Sequence, residues 1–186
     1  MATFEYDLRY VQTGVGELKD YLLSKELFWP VTLAADAGQP PYPKLTPGNL
    51  LLSLARMQAQ SSGASQASAL AQVEGDLNVV VTKWRVKWEE KVSWEFTSRL
   101  RQWVNYLKDF GQEPAIQGAY YPNEVRLRVQ MELLRQAVPI SAENAAALDA
   151  ADGRVRAKLK SGDFIWGEEL AAGFPESVYW FLYGKL

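Results

Sequence analysis

One apolar stripe in the middle of the chain constrains the fold more than any other feature of the sequence. Between Ala64 and Phe110, its members recur at steps of three or four residues, which is the spacing of one face of an α-helix. An amphipathic helix of this kind is stable only when other elements cover its apolar side. The sequence therefore predicts one long, tryptophan-rich central helix surrounded by further helices. The stripe consists of Leu77, Val81, Trp84, Trp88, Val92, Phe96, Leu100, Trp103, Leu107 and Phe110.

The length of this helix is itself a constraint. A straight helix over residues 64–110 would extend about 70 Å, because each residue adds about 1.5 Å. A compact chain of 186 residues has a radius of gyration of about 16 Å. Three solutions stay open at this point. The helix breaks at Gly75-Asp76, the molecule is elongated, or the exposed part of the helix pairs with a second copy.

The segment before the stripe predicts a first helix over about Glu5–Lys25, because its apolar residues recur at steps of four and three. Alternation of apolar and charged side chains over residues 3–11 leaves a strand as the alternative there. Gly14 and Gly16 lie inside the predicted helix, where glycine is unfavourable. They indicate either close contact with a neighbouring helix or a bend.

A loop rich in proline and glycine is predicted over about residues 30–46, since neither helix nor sheet tolerates this composition well. Apolar side chains such as Trp29 and Tyr42 favour a strap packed across a surface over a functional loop. Thr46 followed by Pro47 is typical of a helix start, because the threonine side chain accepts an orphan amide and proline suits the first helical position. A second helix is therefore expected directly after this loop.

Capping residues and prolines predict three more helices after the stripe. One is expected over about residues 122–137 and one over about 141–160, followed by a turn at 161–163. A last short helix is predicted near residue 175. Together these patterns predict an all-α fold, a bundle of about five to seven helices in a single domain, 1–186.

The composition excludes several classes of chemistry. The chain contains no histidine and no cysteine, which excludes Ser/His/Asp and Cys/His catalysis and the usual zinc sites. We therefore predict no cofactor. The net charge is -2, so nucleic acid is disfavoured as a partner. No apolar run is long enough to cross a membrane; membrane contact is disfavoured and a cytoplasmic location is the default expectation.

Two charged residues, Glu95 and Arg99, interrupt the apolar stripe. They lie one turn apart on the predicted helix with the glutamate first, the favourable order for an intrahelical ion pair. One interpretation is a structural ion pair at the edge of the core. The alternative is a pocket in which Arg99 binds an anionic ligand and Glu95 orients it, with Trp88, Trp103 and Tyr106 as walls. The protein would then be a small anionic-ligand binder or a carboxylate-dependent enzyme.

Trp94 lies outside the stripe, roughly on the opposite side of the same predicted helix. Val86 and Val104 lie on that side as well. An exposed tryptophan with apolar neighbours is typical of a protein interface. We therefore expect a second layer of helices or a partner chain, including a second copy of this chain, to cover this face.

A basic run near the end of the chain is formed by Arg154, Arg156, Lys158 and Lys160. A helix would place residues spaced by two on opposing sides, so the run predicts complementation of the helix dipole and no phosphate-binding track. The sequence as a whole favours a non-enzymatic protein that acts in protein interaction or assembly. The Glu95 pocket is the first alternative, and a nucleic-acid-associated protein is the second.

Overall fold

The computed structural model describes residues 3–186, and this part of the chain is predominantly α-helical, as predicted. Six of its helices have at least 14 residues and two have four residues. Two short strands, β1 (Lys160–Phe164) and β2 (Tyr183–Lys185), pair antiparallel. The helices are α1 (Phe4–Leu23), α2 (Pro47–Gln60), α3 (Ala64–Lys83), α4 (Arg85–Gln112), α5 (Pro114–Gln117), α6 (Tyr121–Ala137), α7 (Ala142–Arg156) and α8 (Glu176–Tyr179).

The chain divides into two compact units, unit 1 up to Glu95 and unit 2 from Phe96 onward. The division falls inside helix α4 and not in a linker. The single domain expected over 1–186 stays a prediction. Within the part of the chain that the structure describes, no helix combines the length and the apolar character that crossing a membrane requires.

Helix α1 occupies the segment for which a strand was the alternative, so the strand is wrong. Thr3 caps the helix, because its side chain accepts a hydrogen bond from the backbone amide of Tyr6 at 3.2 Å. Tyr6 and Tyr10 are buried along with most apolar residues of the four-three pattern, whereas Leu8 and Val15 are half-buried. Their burial explains why the sequence also resembled an alternating strand.

Gly14 lies where α1 packs against α2. A Cβ atom at this position would lie 2.8 Å from Cδ2 of Leu50, so a larger residue would displace the buried Leu50 side chain. The close contact predicted for Gly14 is confirmed. Gly16 has open space around it, so the prediction of close contact is wrong at this position.

The segment between α1 and α2 packs as a strap across α1, in agreement with the prediction. The indole N–H of Trp29 donates to the Glu17 carboxylate at 2.9 Å. The ring of Tyr42 stacks on that of Tyr6, with 4.4 Å between the ring centroids. These contacts hold a loop of irregular backbone against the helix.

The predicted long helix is interrupted at Trp84, whose backbone has φ −115° and ψ 32°. A break at Gly75-Asp76, one of the three solutions considered, is wrong. Four consecutive β-branched residues, 79–82, precede Trp84, and such residues are less favourable in helices than unbranched ones. The apolar stripe nevertheless has the predicted burial: eight of its ten members are buried, while Val81 and Trp84 are half-buried.

The end of α7 corrects a further prediction. The helix ends at Arg156 and not near residue 160, and the predicted turn at 161–163 lies in strand β1. The strand forms because Lys160 pairs with Lys185 of β2, a partner distant in sequence. Gly184 permits this pairing, since its φ is +152° and a Cβ there would overlap the carbonyl of Lys160.

Candidate functional site

Glu95 is fully buried, and its carboxylate binds the start of helix α2. The hydroxyl of Thr46 donates to its Oε1 at 2.6 Å, and the backbone N–H of Gly48 donates to its Oε2 at 2.7 Å. Thr46 is also the N-cap of α2 and accepts the amide of Asn49 at 3.1 Å. The amino end of a helix carries partial positive charge, which favours a carboxylate there. Glu95 therefore fastens α2 to α4.

Gly48 allows the carboxylate to approach the helix backbone. A Cβ at this position would lie 2.8 Å from Oε1 of Glu95 and 3.1 Å from its Cδ. No other residue fits there unless the carboxylate moves. This geometry supports the structural interpretation of Glu95, and ligand binding by Glu95 stays a prediction.

The five residues of the predicted ligand pocket are distributed between the two units. Trp88 and Glu95 belong to unit 1, whereas Arg99, Trp103 and Tyr106 belong to unit 2. All five are buried. Their joint role in binding a ligand stays a prediction.

Trp103 and Tyr106 form part of the aromatic core of unit 2. Their rings stack with centroids 5.4 Å apart, and the ring of Tyr121 lies 6.4 Å from that of Trp103. The hydroxyl of Tyr106 donates to the carbonyl of Gln117 at 3.0 Å, and burial raises the pKa of Tyr106 to about 12. The buried indole N–H of Trp103 has no hydrogen-bond partner within residues 3–186. The ring contacts and the Tyr106 hydrogen bond are typical of core packing, whereas a buried indole N–H usually has a partner.

An exposed row of side chains lies on α3 and α4 of unit 1. Val79 and Val86 are 67% and 69% exposed, and Trp94 is 51% exposed. Two charged residues continue the same helical spacing between them, at steps of four, three, four and four residues. Val104, which was predicted to lie on this face, belongs to unit 2 and is half-buried there. We call this row the outer stripe: Val79, Lys83, Val86, Glu90 and Trp94.

Lys91 holds one side of Trp94 and was not identified from the sequence. Its Nζ donates to the carbonyl oxygens of Ser24, at 3.1 Å, and of Glu26. The same atom lies 4.5 Å from the ring centroid of Tyr21 and 5.6 Å from that of Trp94. Burial lowers the pKa of Lys91, against the opposing effect of nearby carboxylates. Lys91 thus joins the end of α1 to α4 and orients the half-exposed indole.

A pocket of about 640 Å³ is lined in unit 2 by the carboxyl ends of α4 and α7 and by the start of β1. Its volume is within the range of small-molecule sites. Three cations, Arg154, Lys158 and Lys160, lie among the lining residues. We call it the basic-rimmed pocket. Its apolar lining includes Leu107, Phe110, Pro114, Ala115, Val155 and Ala157.

The end of α7 changes the placement of one cation of the basic run. Arg154 and Lys158 are four residues apart, so a helix continuing to residue 160 would have kept these two on one side and Lys160 on the other. Because α7 ends at Arg156 and Lys160 starts β1, all three residues line the same pocket. Arg156 alone is directed elsewhere, with its guanidinium carbon 3.7 Å from the ring centroid of Trp180. No local pattern marks this convergence, because the pairing of β1 with β2 decides it.

Comparison of the chain with protein-family models, with curated proteins and with solved structures found no match. The class that the fold defines is a predominantly α-helical protein with a small two-stranded sheet. A fold of this class hosts many activities, so the fold alone does not indicate the function.

Proposed function

We propose that this protein is a non-enzymatic assembly protein that binds a second copy of itself through the outer stripe. The observation that supports the proposal is the exposure of Val79, Val86 and Trp94 in one row on α3 and α4. Large aromatic side chains with apolar neighbours, surrounded by charges, are typical of interface centres. The chain also lacks histidine and cysteine, which removes the commonest nucleophile and general-base combinations.

The outer stripe includes residues on both sides of the interruption at Trp84. The amide of Trp84 donates to the carbonyl of Val80 at 2.9 Å, and the amide of Trp88 donates to the carbonyl of Trp84 at 2.9 Å. Helical hydrogen bonds thus reach Trp84 from both sides. Val79 and Lys83 on α3 keep the sequence spacing of the three residues on α4, and we take the five as one row.

The order of residues in the outer stripe favours a second copy over an unrelated partner. In a two-fold symmetric pair, each residue contacts its counterpart in reversed order. An antiparallel pairing centred on Val86 brings Val79 of one copy against Trp94 of the other. The same pairing brings Lys83 against Glu90, so opposite charges meet twice. The order of apolar and charged residues in the stripe is therefore complementary to itself.

Charges beside the outer stripe fit the same arrangement. Arg85 and Glu89 form an ion pair at 2.9 Å, and Lys87 and Glu90 form another at 2.8 Å. Both signs are interspersed on this surface, so two copies do not repel one another. The contact is short, and small interfaces are typical of weak association, so we expect a dissociation constant on the order of 10 μM.

Sedimentation velocity of the full chain over a range of concentrations tests the proposal. We expect a monomer–dimer equilibrium that Trp94→Ala weakens by about tenfold or more, because the indole is the largest apolar side chain of the outer stripe and the substitution removes it from both copies. Val86→Asp is expected to abolish it, since it brings two like charges together. Ile116→Asp is the matched control, because Ile116 is 55% exposed and lies in unit 2.

Charge reversal distinguishes a second copy from another partner. Lys83→Glu and Glu90→Lys should each weaken the dimer, and the double variant should restore it, because the reversed charges meet again only in a self-pairing. A wild-type chain that stays monomeric at all concentrations would contradict the proposal. So would a dimer that Trp94→Ala and Val86→Asp leave unchanged.

A further inference from the structure

The basic-rimmed pocket lies in unit 2 and has no part in the proposed pairing of outer stripes. Its floor and walls are contributed by side chains that also belong to the core: Leu107, Phe110 and Val155 are buried to more than nine-tenths. A pocket of this kind keeps its shape without a ligand, because core packing fixes its lining. Any occupant would contact mostly apolar atoms.

The rim has the opposite character. Arg154 and Lys158 lie one turn apart at the end of α7, and Lys160 starts β1. Within residues 3–186, none of these three side chains forms an ion pair, and no aspartate or glutamate side chain lines the pocket. The lining thus combines three cations with apolar side chains and with Leu186, whose main-chain carboxylate carries one negative charge.

Complementation of helix dipoles does not account for all three charges. The carboxyl end of a helix carries about half a negative charge, so the ends of α4 and α7 together offset about one cation. About two positive charges remain after this effect, and the carboxylate of Leu186, which also lines the pocket, offsets one of them. An anionic ligand group would neutralise the remaining positive charge and accept charge-assisted hydrogen bonds from the cations.

We propose that the basic-rimmed pocket binds an amphipathic carboxylate, a single alkyl chain that ends in one carboxylate group. The apolar lining buries the alkyl chain, and the carboxylate lies at the rim against Arg154 and Lys158. Inorganic phosphate would leave the apolar lining without a contact. Nucleic acid requires a track of cations along its backbone, whereas these three are gathered at a single opening.

Isothermal titration of the full chain with dodecanoate, below its critical micelle concentration, tests this binding. Dodecyltrimethylammonium has the same alkyl chain with the opposite charge, and acetate has the same head group without the chain. We expect dodecanoate to bind with a stoichiometry of one per chain and at least about tenfold tighter than either comparison compound, which corresponds to a difference of about 1.4 kcal/mol.

Variants at the rim and at the wall of the pocket separate the contribution of the cations from that of the apolar lining. Arg154→Gln combined with Lys158→Gln should weaken dodecanoate binding by about tenfold, since each exposed charge contributes modestly. Arg156→Gln is the matched control, because it removes a cation of the same run that faces Trp180; it should leave the affinity unchanged. Ala115→Trp should block the pocket, and because Ala115 is exposed on the surface side of α5, circular dichroism should show an intact fold.

The test of this pocket does not depend on whether the chain forms dimers through the outer stripe. The proposal is supported if the rim and wall variants weaken dodecanoate binding as expected, in a monomeric or a dimeric chain. Absence of dodecanoate binding would overturn it. Equal binding of the trimethylammonium compound would overturn it as well, since charge would then have no role. An equal loss of dodecanoate affinity in Arg156→Gln would also count against the proposal. So would a chain that binds anionic vesicles but does not bind monomeric dodecanoate.

Discussion

Both units contain buried charged side chains, and two of them, Glu95 in unit 1 and Arg128 in unit 2, contact different kinds of group. In unit 1, Glu95 is held by a hydroxyl and a backbone N–H at the amino end of α2. In unit 2, Arg128 of α6 is held by full opposite charges: its guanidinium donates twice to Asp152 of α7, at 2.8 Å each, and once to Glu132 at 3.0 Å. The guanidinium carbon also lies 4.5 Å from the ring centroid of Phe181.

The difference shows two solutions to the same physical problem. A buried charge is costly unless polar groups surround it. At the start of α2, Glu95 contacts dipoles whose positions are fixed by the backbone. This contact therefore depends on the shape of the helix start. The Arg128 cluster consists of ionisable side chains, so it depends on their identity and on pH. The predictions below separate these two dependences.

Removal of the Arg128 guanidinium should have the largest effect. Arg128→Ala leaves Asp152 and Glu132 without their buried counter-charge and leaves a cavity, so we expect the free energy of unfolding to fall by about 3–5 kcal/mol. Urea denaturation measures this change. Arg101→Ala, at an exposed position of α4, is the control and should change stability by less than about 0.5 kcal/mol. A comparable loss in both variants would show that the cluster has no special role.

An added methyl group at Gly48 should have an intermediate effect. Gly48→Ala displaces the Glu95 carboxylate, and we expect a loss of about 1–3 kcal/mol, the typical cost of overpacking. Gly16→Ala makes the same substitution in a helix with open space around it, and it should stabilise the protein by about 0.5–1 kcal/mol. The opposite signs in urea denaturation are the observable result.

The loss of stability caused by Gly48→Ala should also depend on Glu95. In a Glu95→Ala background, Gly48→Ala should cost clearly less, because the carboxylate that it displaces is gone. Equal costs in the two backgrounds would mean that the strain arises elsewhere in the start of α2.

The pH dependence of Glu132 should be the smallest of the three effects. Burial raises the pKa of Glu132, but hydrogen bonds from Arg135, Gln136 and Arg128 together with the Arg128 charge outweigh it and hold the pKa below its ordinary value of 4.5. The folded pKa is therefore below the unfolded one. The stabilisation is complete above the ordinary value and is lost as the pH falls through the lower, folded value.

Urea denaturation at a series of acidic pH values measures this contribution. The slope of stability against pH should be shallower in Glu132→Gln than in the wild type over that window. Glu113→Gln, at an exposed position, should retain the wild-type slope. An unchanged slope in Glu132→Gln would exclude this carboxylate as a source of the acid sensitivity.

Local signals in the sequence predicted most of the helices. Thr46 and Pro47 predicted the start of α2 because capping is a contact between residues three apart. The sequence also indicated that Glu95 occupies an unusual position in the apolar stripe. It did not reveal that the partners of Glu95 are Thr46 and Gly48, because these residues are almost fifty positions away along the chain.

The sequence by itself determined the helical class, the buried stripe, the strap and the position of Trp94 outside the buried stripe. These features follow from periodicity, capping and composition, which act over a few residues. Only the tertiary structure decided the exposure of Trp94, the interruption at Trp84, the strand pairing of β1 with β2 and the placement of Lys160 in the pocket with Arg154. Each of these depends on contacts between segments that are distant in sequence, and no local pattern specifies which distant segment a residue will meet.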